Sequence, residues 1–294
     1  MSDFQNIQWF PGHMTRTRRQ IEKQLKLVDI VIEIADARIP VASRNPVLKS
    51  IINNKPKLLL LNKADMADPA ETEKWLNSYK ERNIKALPID CKTGKGINNI
   101  LPAVKEVLAV QIAAWNRKGM VGRPIKIMVV GIPNVGKSSL INKMCKGGSA
   151  GKAEVQDRPG VTRENRWFTI GKGFELLDTP GVLWPKFEDK AVGEKLAFTG
   201  AVKDEIIDIE HLCSRFLEEV RFHYPNAVNE RYKTEIEDIN ALEGHVILEK
   251  IAIKRGMLLP GGVANTERAA IAVLDEFRAG KLGRITLEHY EVRK

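Results

Sequence analysis

A short apolar segment, Ile125 to Val130, runs straight into Gly131-Ile132-Pro133-Asn134-Val135-Gly136-Lys137-Ser138, and a helical pattern follows from Lys137 to Lys146. A strand that ends in such a glycine-spaced loop and opens a helix is the pattern of a phosphate-binding loop, and it commits the chain to an α/β sheet. The glycines let backbone N–H groups converge on phosphate oxygens at a helix N-terminus. The loop residues Asn134, Val135 and Gly136 belong to this cradle, as does Ser139, the third residue of the helix. Lys137 is placed to reach β- and γ-phosphates, and the Ser138 hydroxyl to bind Mg2+.

Further short runs read as buried parallel strands: Leu27 to Ala35, Lys57 to Leu61, Ile84 to Ile89, Trp167 to Ile170 and Phe174 to Leu177. Helical patterns lie between several of them, at Glu71 to Lys80 and Ile97 to Ala114. This alternation predicts a doubly wound, mostly parallel sheet, with ligands at the carboxyl ends of the strands. Beyond about Lys190 the strand signal fades. Ile207 to His223, Thr234 to Met257 and Thr266 to Ala279 have helical spacing. The expected division is a nucleotide domain over 1–189 and a smaller, mostly helical domain over 190–294.

A phosphate loop does not choose its base. Asn62-Lys63-Ala64-Asp65, directly after a strand, does. A carboxylate at Asp65 can accept hydrogen bonds from N1–H and N2–H2 of guanine, a donor pair that adenine lacks. Asp90-Cys91-Lys92 ends the next strand and is placed to back the base. Asp178-Thr179-Pro180-Gly181 also ends a strand: Asp178 can hold Mg2+ through water and the Gly181 N–H can meet the γ-phosphate. Pro159-Gly160-Val161-Thr162 offers Thr162 as a second hydroxyl for the metal, although Pro-Gly is also an ordinary turn.

The base-reading pieces precede the phosphate-reading pieces, the reverse of an ordinary small GTPase. In this order the chain resembles the circularly permuted GTPases, and most closely the ribosome biogenesis GTPase A family of bacterial large-subunit assembly factors. The resemblance extends over nearly the whole chain. It includes Trp9-Phe10-Pro11-Gly12-His13-Met14, Asp36-Ala37-Arg38-Ile39-Pro40, and Arg268-Ala269-Ala270 with Phe277-Arg278-Ala279-Gly280-Lys281-Leu282-Gly283. It implies a circularly permuted P-loop GTPase domain with a helical C-terminal domain, GTP as substrate with Mg2+, and a low intrinsic rate raised by the ribosomal particle.

The position after Gly181, where many GTPases carry a water-orienting glutamine, is Val182. The resemblance implies His13 as a substitute, joining Lys137 and Thr162 in catalysis. An imidazole of pKa about 6.5 can orient or accept from water near neutrality; the other reading is a histidine that packs or contacts RNA. Similar GTPases use an asparagine at the Asn134 position to help hold K+, which offsets transition-state charge; the other reading is a residue that favours the turn.

Basic residues exceed acidic ones, 47 to 37, for a formal charge of +10. That excess suits a polyanionic partner or a merely basic surface. Arg16, Arg18, Arg19, Lys23 and Lys26 form one group; Lys254, Arg255, Arg268, Arg278, Lys281 and Arg284 form another. With the resemblance, the expected partners are the late large (50S) subunit precursor and its rRNA, recognised by shape and backbone. The alternatives are the small subunit or tRNA, or a nucleotide-gated switch on a protein or membrane without RNA. No run reaches the roughly 18 apolar residues that cross a bilayer. Cys91, Cys145 and Cys213 lack metal-ligand spacing. A monomeric, cytoplasmic protein with reduced thiols is expected.

Overall fold

The computed structural model describes residues 19–52, 55–146, 167–171, 173–177, 189–202 and 208–291. Among these, six strands form one sheet: β1 (Ile30–Asp36), β2 (Lys57–Asn62), β3 (Lys85–Pro88), β4 (Ile125–Val130), β5 (Trp167–Thr169) and β6 (Phe174–Leu177), in the order β3-β2-β1-β4-β6-β5. Every neighbouring pair is parallel except β5 with β6. The first strand among the described residues therefore lies in the middle of the sheet. Both faces are covered, so β1, Ile-Val-Ile-Glu-Ile-Ala-Asp, is buried at every residue. Its mid-strand carboxylate, Glu33, is gripped by Arg44 through Nε at 3.0 Å and Nη2 at 2.7 Å.

The sequence pattern starts β1 at Leu27, but the strand begins at Ile30. Helical residues 19–25 (α1) end in a tight turn there, with the Leu27 N–H on the Gln24 carbonyl, and the exposed Leu27 side chain lies outside the sheet. Helix α2 (Pro46–Ile51) is capped by Asn45, and α3 (Pro69–Glu81) by Asp68. The helix expected over Ile97 to Ala114 is a 3-10 turn at Ile97–Asn99 followed by α4 (Ile100–Val107) and α5 (Ala109–Arg117). The joint at Leu108 is slight. Its N–H still reaches the Val104 carbonyl, and its carbonyl takes the Ile112 N–H. Helix α6 (Lys137–Lys146) follows β4.

The C-terminal part is helical: α7 (Lys190–Phe198), α8 (Ile209–His223), α9 (Pro225–Tyr232), α10 (Gly244–Lys254) and α11 (Thr266–Arg278). Helix α8 is its centre, burying Leu212, Cys213, Phe216, Leu217 and Val220 on one face. Phe216 packs between Phe198 of α7 and Phe277 of α11, with ring centroids 5.4 Å and 4.6 Å away. The single helix expected from Thr234 to Met257 starts only at Gly244. A side-chain carbon at Gly244 would lie 2.0 Å from the Ser214 carbonyl oxygen, so helix α10 begins where its backbone presses on α8. Ile30, Ile32 and Ile34 of β1 belong to the same continuous apolar core as Phe198, Phe216 and Phe277. Beyond α11 the chain returns to the sheet, where the Leu287 N–H meets the Arg38 carbonyl and Glu288 accepts from the backbone of Val41 and Ala42. The Cys91 and Cys213 thiols are buried, and burial pushes both above the ordinary thiol range. No helix among the described residues is long and apolar enough to cross a membrane.

Candidate nucleotide site

The loop after β4 is shaped by contacts that exclude side chains. A Cβ on Gly131 would stand 2.6 Å from the Ile34 carbonyl oxygen, and one on Gly136 would stand 2.3 Å from Asn62 Nδ2. Gly136 and Asn134 are left-handed, with φ of 103° and 60°. Val135 is buried beneath the loop, while Ser138 and Ser139 are exposed on the first turn of α6. Lys137 Nζ donates to the Ile132 carbonyl at 2.6 Å, so the ammonium lies across the loop's own backbone. Amides at the start of a ten-residue helix and a cation beside them suit a phosphate chain.

Asn62, at the end of β2, joins this loop to the loop after β3. Its Nδ2 donates to the Val135 carbonyl at 2.7 Å, and its Oδ1 accepts the Cys91 N–H at 2.9 Å. Asn62 belongs to the expected base-reading set, and in the structure both ends of its amide engage protein. Asp90 is likewise turned inward. It accepts from Lys92 N–H at 2.7 Å, Thr93 N–H at 3.2 Å and the Thr93 hydroxyl, so it shapes the loop that carries Lys92. Burial alone would raise the Asp90 carboxyl, but these donors hold it below its usual range. Lys92 and Asp65 are exposed. Ala64 is fixed by its N–H to the Ile89 carbonyl.

Lys63 carries a left-handed backbone, φ 61°, and its Nζ pairs with Asp36 Oδ2 at 2.9 Å. Asp36 also receives Arg38 through Nε at 3.0 Å and Nη2 at 2.8 Å, while Arg38 Nη1 donates to the Phe277 carbonyl at 3.1 Å. The guanidinium rests 4.7 Å from the Phe277 ring centroid. Burial alone would raise the Asp36 carboxyl; the two cations outweigh it and hold it far below the usual carboxylate range. The sequence motifs give Asp36 and Arg38 no chemical task, although charges at the end of an apolar strand are a visible signal.

Asn134 Nδ2 donates to the Gly200 carbonyl at 2.7 Å, just past the end of α7. Arg278 donates to the carbonyls of Phe198 at 3.1 Å and Ala197 at 2.8 Å in the same turn. The loops holding Lys137, Asp65 and Lys92 thus converge at the carboxyl ends of β4, β2 and β3. His13, Thr162, Asp178, Gly181 and Val182 lie outside the described residues.

Asn62→Ala leaves a buried carbonyl and a buried N–H unpaired, at about 1–3 kcal/mol each. Nucleotide affinity is expected to fall by about tenfold or more, read by titration with a fluorescent nucleotide. A native dissociation constant would mean the two loops keep register without the amide. Asp36 adds a pH dependence. Its folded pKa is depressed, so its stabilisation is complete above the unfolded value near 3.8 and is lost as pH falls from there toward the folded value. Between about pH 5 and pH 2, Asp36→Asn should therefore lose stability less steeply than the native chain in denaturant melts. Equal slopes would refute this.

Comparison with known proteins gives a consistent result. The family model described as 50S ribosome-binding GTPase matches residues 126–247. Ribosome biogenesis GTPase A of Priestia megaterium is 48% identical over 285 residues, covering 96% of each chain. Mitochondrial ribosome-associated GTPase 1 of Mus musculus is 35% identical, covering 95% of this chain and 89% of its own. Among solved structures, GDP-bound TM YlqF superposes with a TM-score of 0.65 at 28% identity, covering 92% of this chain and 99% of that one. GNP-bound YlqF from T. maritima gives 0.63 at 27% identity, covering 93% and 98%. With a phosphate-loop motif and an Asn-Lys-Ala-Asp turn in permuted order on one sheet, the chain belongs to the ribosome biogenesis GTPase A family and hydrolyses GTP.

Proposed function

We propose that this GTPase of ribosome biogenesis joins the late large-subunit precursor in its GTP state, contacts rRNA, promotes maturation and leaves after hydrolysis. The observation that supports the reading is the Asn62 amide, which ties the loop after β4 to the loop after β3 beside the Asn62–Asp65 turn. Similarity to a mitochondrial ribosome-associated GTPase supports a ribosomal partner, and the family described as 50S ribosome-binding GTPase supports the large particle. In this reading Asp65 selects guanine, with Ala64 and Lys63 in its turn and Lys92 across the base. Asp90 and Cys91 act by holding that second loop. Gly136, Val135, Ser139 and Lys137 serve the phosphates, and Gly181 senses the terminal one. The exposed Ser138 hydroxyl suits a hard cation; with Thr162 and Asp178 it would hold Mg2+, which supplies charge neutralisation on the β- and γ-phosphates.

His13 is the proposed water-orienting group in place of Val182, and Asn134 the proposed K+ ligand. The Asn134 amide nitrogen is held by Gly200, and its oxygen is the atom a K+ ion would take. Of the basic residues, Arg19, Lys23, Lys26, Arg268 and Lys281 are exposed and available to phosphates, while the exposed Lys254 and Arg255 pair with Glu235 and Glu276 at 3.6 Å. Arg278 and Arg284 instead bind carbonyls of the chain itself. A cytoplasmic, monomeric protein acting on the particle completes the reading.

Co-sedimentation with purified subunits tests it. With a non-hydrolysable GTP analogue the chain should pellet with the large subunit, and with GDP it should stay in the supernatant. Pelleting with the small subunit alone, or with neither, would sink the proposal. Turnover in K+ should exceed turnover in Na+ several-fold; equal rates would remove Asn134 as a cation ligand.

A further inference from the structure

The turn that carries Asp65 is held from two sides. On its own side, the Ala64 N–H meets the Ile89 carbonyl and the Met66 N–H meets the Lys63 carbonyl. Its remaining polar edge is taken by three consecutive residues from the far end of the chain. Arg284 donates through Nη2 to the Ala64 carbonyl at 2.9 Å and through Nε to the Ala67 carbonyl at 3.0 Å. The Ile285 N–H reaches the Met66 carbonyl at 3.0 Å, and the Thr286 hydroxyl accepts the Asp68 N–H at 3.0 Å. Asp65 sits inside this bracket and shares with Arg284, Asp90 and Lys95 the wall of a cavity of about 430 Å3.

The tail is itself anchored. Trp75 Nε1 donates to the Glu288 carbonyl at 2.7 Å. The Tyr224 hydroxyl, between α8 and α9, accepts the Thr286 N–H at 3.2 Å and lies 3.2 Å from the Asp68 carboxylate. A helical-region residue therefore meets tail and turn at one point. Arg284 is exposed, so its two hydrogen bonds replace water rather than rescue buried groups, and their effect on folding is small. Their effect on geometry is larger. A planar fork spanning the carbonyls before and after Asp65 fixes the turn in a way a single ammonium cannot.

We propose that Arg284 is a positioning residue for base recognition, through which the C-terminal tail sets how tightly and how selectively the chain holds guanine. The proposal rests on Asp65 as the guanine-reading carboxylate. A tail that only stabilised the fold would weaken all nucleotides alike. A tail that aims Asp65 acts on the hydrogen bond to the exocyclic N2 amino group, which inosine lacks.

The experiment compares GDP with IDP as competitors of a fluorescent GDP on the full chain, for the native protein, Asp65→Asn, Arg284→Ala and Arg284→Lys. Asp65→Asn should abolish most of the preference for GDP over IDP. Both Arg284 variants should reduce that preference by roughly three- to tenfold and accelerate GDP release by a similar factor, with IDP binding less affected. If Asp65→Asn loses the preference while both Arg284 variants keep it, or lose GDP and IDP in equal proportion, the tail aims nothing and the proposal is overturned. If Asp65→Asn also keeps the preference, the base reading fails, and the proposal fails with it.

Discussion

The loops that the motifs assign to base and to phosphate come from distant chain segments, which the sheet and the Asn62 side chain bring into register. Strands β2 and β4 flank β1, so their ends stand two strand spacings apart, about 9–10 Å. The Asn62 amide closes that gap with one donor and one acceptor, reaching the Val135 carbonyl on one side and the Cys91 N–H on the other. A carboxylate or an ammonium could satisfy only one of these partners and would carry charge into a buried site; an apolar side chain would satisfy neither. The approach also requires Gly136, since any side-chain carbon there would collide with the amide nitrogen. The glycine of the phosphate loop and the asparagine of the base motif are therefore one constraint, written at two distant places in the sequence.

A second set of contacts ties the site to the helical region. Asp36, Arg38 and Lys63 form a buried charge cluster, and clusters of this kind add little net stability because desolvation offsets the attraction. Their value is directional. Arg38 ends on the Phe277 carbonyl at the close of α11, while Arg278 ends on Ala197 and Phe198 at the close of α7. Cations at helix C-termini meet unpaired carbonyls and the negative end of the dipole, so both helices are fastened at their last turns. Asn134 adds a neutral bond to Gly200, one residue beyond the α7 cap at Thr199.

Local features of the fold were legible in the sequence because their causes are local. Ile125–Val130 and Lys137–Lys146 have the bounds that periodicity and the glycine-spaced loop predict. The start of β1 was misplaced because Leu27 is apolar but occupies the exposed turn after α1. The late start of α10 depends on the Ser214 backbone, which no pattern around Gly244 reveals. Site residues divide in the same way. Lys137 and Asp65 stand in motifs whose spacing predicts their chemistry. Asn62 and Asp90 stand in the same motifs, yet the structure uses them to build loops. Arg278 and Arg284 read as part of a basic cluster, and composition cannot distinguish an arginine that seeks phosphate from one that seeks carbonyls more than two hundred residues away in sequence for Arg284.

Permutation gives this distribution a mechanical meaning. The helical region is attached to the nucleotide loops at more than one point: at the phosphate loop through Asn134 and Gly200, and at the base turn through the tail and Tyr224. A body held at one point can rotate freely about it. A body held at two ends of the same ligand site cannot rotate without straining a contact to the phosphate side, the base side or both. A partner that favoured one arrangement of the helices over another would, by linkage, change the free energy of nucleotide binding, and nucleotide would change partner affinity by the same factor. In an unpermuted order the chain would not leave the phosphate-reading segments to build this region and then return to close on the base.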